Sequence, residues 1–198
     1  MVFDRDYEYV QEIFEQVTLG DEEVEAKEFD TCTFRNCSFS ATLFRNCKLL
    51  NCTFEDCELN LVRVYQSSFA GVKFTRCKVI GINWTDAYWS KKGLLNSLKF
   101  TECALNHSTF MGLNLKKMQL VSCLARDVDF TEADLTDADF SRTDFSQSRF
   151  NNTNLTRADF RSATNYTISA QFNTVKDARF SLPEAMSLLY GLNIRLDD

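Results

Sequence analysis

A chain of 198 residues, 44% of them hydrophobic, is long enough for one domain with a substantial core, yet it holds no apolar run of membrane-spanning length. Eighteen phenylalanines stand against six glycines and one proline, so ordinary turn residues cannot be what bends this backbone. The formal net charge of −6 is lopsided: residues 1–30 hold eleven acids against Arg5 and Lys27, and the rest hold seventeen acids and twenty bases, a balance without the basic stripe of a nucleic-acid binder.

Taken from the N-terminus, MVFDRDYEYVQEIFEQ is acidic and lacks a basic stretch followed by an apolar one, so it does not read as a secretory signal. The expected location is the cytoplasm, where eight cysteines would stay reduced. From Phe14 a beat of five sets in. Large apolar residues recur at Phe14, Leu19, Val24, Phe29, Phe34, Phe39, Phe44, Leu49, Phe54, Leu59, Val64, Phe69, Phe74, Val79, Trp84 and Trp89. A second run goes from Phe100 through Phe110, Leu120, Phe130, Phe140 and Phe150 to Phe160, with Ala125 its weak member. Helices need a period of three to four and strands a period of two, so the series fits neither.

Two residues before each large one sits a small one, and all eight cysteines occupy this position. Side chains two apart on an extended backbone share a face, so one large and one small residue point inward together. The cysteines therefore read as buried fillers, neither disulfides nor zinc ligands. Zinc favours CxxC spacing and histidine partners, whereas His107 is expected at an outward corner. No metal, cofactor or catalytic set can be assembled, and a solid coil offers no cleft, so binding is expected and catalysis is not.

Three departures from the beat are candidate contact sites. The register moves by one within 90–97, SKKGLLNS, which predicts a small loop carrying Lys91 and Lys92. Residues 127–144 concentrate Asp127, Asp129, Glu132, Asp134, Asp137, Asp139 and Asp144 against Arg142, an outward row that could imitate phosphates. Residues 181–198 abandon the repeat. Ser181 and Glu184 have capping-box spacing, Leu182, Ala185, Met186 and Leu189 follow helical spacing, and Gly191 suits a stop. A short strand at Leu192, Ile194 and Leu196 would follow. This cap covers the open edge of the last turn and, with Leu188 and Tyr190, offers an apolar surface to a second copy.

The beat resembles the pentapeptide repeat family, most closely at 128–162: VDFTE, ADLTD, ADFSR, TDFSQ, SRFNN, TNLTR, ADFRS. The resemblance implies an all-β, right-handed quadrilateral β-helix with four pentapeptides per turn. It would form a single domain over 1–198, with repeats over 14–180 and a short C-terminal capping helix. Two segments outside the motif, IGINWTDAYW (80–89) and ARFSLPEAMSLLYGLNIRLDD (178–198), are similar to the Qnr-type branch and to its albicidin-resistance members. That likeness implies a homodimer joined through Leu182, Ala185, Met186, Leu188, Leu189, Tyr190, Leu192 and Ile194. Its partner would be DNA gyrase, with topoisomerase IV, shielded from inhibitors by a DNA-like shape. The acidic side would correspond to 127–144 and the acidic N-terminal turn. Direct nucleic-acid, membrane and small-molecule partners are not implied. A non-catalytic adaptor for an unrelated protein is the alternative.

Overall fold

In the computed structural model, which describes residues 3, 6–90 and 97–192, the chain winds as a stack of parallel, in-register coils. Residues twenty apart pair: Tyr9 with Phe29, Phe29 with Leu49, Phe34 with Phe54. Strand β1 (Glu8–Val10) begins the first side, followed there by Glu28–Asp30, Lys48–Leu50 and Ser68–Ala70. Strand β2 (Ile13–Glu15) begins the second side, a six-stranded sheet that runs to Gln119–Val121. The third side is a ladder of single bridges from Thr18 and Ser38 down to Asp144 and Thr164. Strand β3 (Glu23–Glu25) begins the fourth, paired with Leu43–Arg45. Coiling starts at β1, upstream of Phe14, because Tyr9 already fills an inward position.

Large residues of each side stack on their counterparts one coil away. On the second side Phe34, Phe54, Phe74 and Phe100 are near-parallel, with centroids 4.6, 5.0 and 4.8 Å apart. Adjacent sides meet edge-to-face, as Phe34 and Phe39 do at 83°. Each such burial contributes about 1.5–3 kcal/mol, and stacking makes it possible because a single coil cannot cover its own interior.

The corners explain the shortage of glycine. Nearly every fifth residue from Gln11 to Asp177 has φ between 51° and 62°, and among the described residues only Gly71, Gly81 and Gly112 fill such corners with glycine. A left-handed residue with a side chain costs about 1–2 kcal/mol. Cross-coil hydrogen bonds offset that strain: the corner N–H of Gln11 donates to Asp30 O, and that of Ala41 to Asn60 O, both at 2.8 Å.

At many corners the N–H of the small inward residue closes a turn, as Ala133 N–H does onto Phe130 O at 3.1 Å. At most cysteine corners it goes to the side chain one coil on. Cys37 N–H meets Cys57 Sγ at 3.4 Å, and Cys57 Sγ–H points to Phe34 O at 3.3 Å. The same links run through Cys77, Cys103 and Cys123, with Ser67 and Thr143 serving alike elsewhere. The cysteines are thus buried fillers, as expected, that also bridge the coils. All eight are buried and free, and burial pushes the Cys52 thiol up to about 12.

Two stretches depart from expectation. Across the loop, Phe74 pairs with Phe100, 26 positions on, so six residues are inserted where the register showed one. A shift read in fives cannot separate one extra residue from six. Near the C-terminal end the beat fails: Tyr166 and Ile168 fill the core between Phe160 and Val175, and Phe172 turns outward, 59% exposed. A shallow cavity of about 370 Å³ lined by Asn152, Gln171, Phe172, Asn173 and Thr174 marks the break.

Candidate partner-binding surface

The seven acids of 127–144 are close in sequence but do not share a side. A coil takes twenty residues, so this stretch travels almost once around the rod. Asp129 lies on the fourth side, Asp134 on the first, Asp139 on the second and Asp144 on the third, each in the bridge ladder of its side. Asp127, Glu132 and Asp137 stand at the corners between them, with φ of 51°, 61° and 61°.

Most of these carboxylates are occupied. The four side-borne aspartates accept the backbone N–H two residues on: Asp129 from Thr131 (2.9 Å), Asp134 from Thr136 (3.1 Å), Asp139 from Ser141 and Asp144 from Ser146 (both 3.0 Å). This is why Asp or Asn occupies the position, since a short side chain folds back to hold the turn. Ion pairs take more: Arg149 reaches Asp127 and Asp129 at 3.2 Å, Arg126 reaches Asp144 at 2.8 Å, Arg157 reaches Asp137 at 2.6 Å and Lys116 reaches Asp134 at 3.3 Å.

The bond from His107 Nδ1, 3.0 Å away, holds the Asp127 carboxyl below its usual range, and Arg157 does the same for Asp137. Burial alone would raise Asp144, but Ser146, Asn165 and Arg126 together hold it well below the ordinary carboxylate value. Glu132 is the exposed member and has no ion pair among the described residues.

The cap at the C-terminal end is a 3-10 helix, Glu184–Leu192, and it continues through Gly191. The capping box is not made. The Ser181 hydroxyl instead accepts the Ser162 N–H of the preceding coil at 3.2 Å, which ties the cap to the rod. Leu182 is 77% exposed, Leu192 48% and Met186 37%, while Leu188 packs against the chain's own core and Ala185 and Leu189 are half-buried. Lys91, Lys92, the Tyr190 side chain and Ile194 lie outside the described residues, as does the strand expected beyond Leu192. Among the described residues no three His, Cys, Asp or Glu groups are placed to hold a metal, and no helix is long and apolar enough to cross a membrane.

The pattern of the Pentapeptide repeat region family matches residues 27–97 and again 91–160. No curated protein sequence matches the chain. Among solved structures, a trypsin-treated form of QnrB1, a plasmid-mediated fluoroquinolone resistance protein, superposes with a TM-score of 0.75 at 18% identity, covering 93% of this chain and 99% of that one. A second trypsin-treated QnrB1 gives 0.67 at 18% identity over 93% and 100%. HetL, a pentapeptide repeat protein involved in heterocyst differentiation regulation from the cyanobacterium Nostoc sp. strain PCC 7120, gives 0.56 at 14% identity over 90% of each chain. At these identities the likeness is one of fold.

Proposed function

Because the chain belongs to the pentapeptide repeat family, we propose that it is a cytoplasmic, non-catalytic binding protein of the Qnr-type branch, nearest in kind to the albicidin-resistance members. In this reading it engages DNA gyrase, and topoisomerase IV with it, and protects them from inhibitors such as quinolones or albicidin-like antibiotics. The observation that carries the reading is the end of the rod. Leu182, Met186 and Leu192 project from a cap that closes the last turn of a four-sided coil. Exposed apolar groups at one terminus suit end-to-end pairing of two copies, which doubles the rod's length.

Shape, more than total charge, is what such a dimer shares with duplex DNA. Each copy carries a formal −6, whereas DNA carries one charge per ~1.7 Å. A groove that grips two adjacent sides meets the corner of Glu132 between Asp129 and Asp134, and we assign the acidic contact there. We assign Lys91 and Lys92 as the basic contact. Supercoiling by purified gyrase tests the proposal: the protein slows the reaction alone and restores it in the presence of a fluoroquinolone. If neither effect appears, an adaptor role with an unrelated protein partner takes its place. That second reading is supported by HetL, whose similar fold serves differentiation regulation.

A further inference from the structure

The two ends of the rod are finished differently. At the N-terminal end Phe3 seals the interior, its ring edge-on to Tyr9, Phe14 and Phe29 at 5.9, 5.3 and 5.2 Å. Among the described residues, that plug covers side chains and leaves the main chain open. Strands β1, β2 and β3 each stand last in their sheet. In the coil below, the N–H before each central residue points up: Glu28 N–H donates to Tyr7 O at 2.9 Å and Thr33 N–H to Glu12 O at 2.8 Å. The equivalent amides of the first coil, Glu8 and Ile13, point out of the stack, and among the described residues neither meets an acceptor.

Open edges are normally blunted by lysine, proline or a bulge. Here the outward residues flanking the first corner are Val10, 51% exposed, and Ile13, 58% exposed. Carboxylates surround them. Glu8, Glu12, Glu22 and Glu25 are exposed without an ion pair among the described residues, and Glu15 is reached only distantly, by Arg35 at 3.8 Å. Lys27 spends its ammonium on the Asp6 carbonyl at 2.7 Å.

We propose that this edge docks an extended, lysine- or arginine-bearing segment of a partner protein, which adds a strand to β1 and, bending with the corner at Gln11, to β2. Backbone pairing supplies the attachment, Val10 and Ile13 pack against alternate side chains of the incoming strand, and the carboxylates select cations among the others. A second copy of the chain fits this end poorly, because face-to-face stacking would oppose carboxylates of one sign. The proposal concerns the end opposite the apolar cap and stands independently of the gyrase reading.

Fluorescence anisotropy of the full chain with a labelled seven-residue peptide of alternating lysine and valine tests it. Saturable binding is expected. It should weaken roughly tenfold when Glu8→Lys and Glu12→Lys are combined, and at least as much when alternate peptide nitrogens are methylated, since methylation removes the pairing but not the charge. Both substitutions are on exposed side chains, and an unchanged circular dichroism melt confirms that folding is intact. Bound peptide should slow amide exchange at Glu8 and Ile13. Equal affinity for the methylated peptide would reduce the effect to charge alone and overturn the proposal. So would the lack of saturable binding, or self-association through this end.

Discussion

Cys57 shows how much a single inward residue does. Its sulfur accepts the Cys37 amide and donates to the Phe34 carbonyl, both on the preceding coil, so removing it leaves the buried Cys37 N–H without its acceptor. We expect Cys57→Ala to lower stability by about 1–3 kcal/mol in urea unfolding, whereas Cys57→Ser, whose hydroxyl keeps both bonds, costs less than half of that. The sequence held a clue to this role: Ser67, Ser108, Thr143, Ser148 and Asn173 share the position, and all can bridge, which size alone would not require. Asp144 illustrates the outward position. Its folded pKa is depressed, so its contribution is fully present above the unfolded value of about 4 and is lost as pH falls through the folded one. Urea midpoints should therefore hold from pH 7 to 5 and fall below pH 4. Asp144→Asn should lower the midpoint at pH 7 and flatten that decline; an unchanged acid profile would contradict the assignment.

Within a side, stability comes from neighbours one coil apart. Phe74 lies between Phe54 and Phe100, and Phe74→Ala should cost about 3–5 kcal/mol by chemical denaturation, because rigid stacks collapse poorly around a hole. This architecture was readable from the sequence because inward positions recur without regard to which side they occupy. The same indifference hid three things. The count of five did not reveal that six residues were inserted before Phe100. It did not show that Tyr166, which stands out of register, takes over the core where the beat lapses, beside Ile168 at the inward position that follows Ala163. It also made residues 127–144 look like a patch, when a run of that length encloses the rod. Corner strain left no glycine signal, since Asn, Asp, Gln, Ala and even Leu61 adopt positive φ there.

For the whole molecule, the two ends carry separate expectations. A chain ending at Arg179 loses Leu182, Met186 and Leu192, so light scattering should give a monomer for it and a dimer for the full chain. A full-length monomer would remove the basis for the paired rod. Between the ends, each coil pairs with those above and below at offsets of twenty residues, save for the 26-residue step across the insertion before Phe100. Deleting residues 133–152 should accordingly leave a cooperatively folding protein, while deleting ten residues should not, because half a circuit brings mismatched sides together. Reach is therefore available to this design only in steps of one storey, each about 4.8 Å. Selection can lengthen or shorten such a molecule against a target by duplicating or dropping whole circuits, without redesigning either terminus.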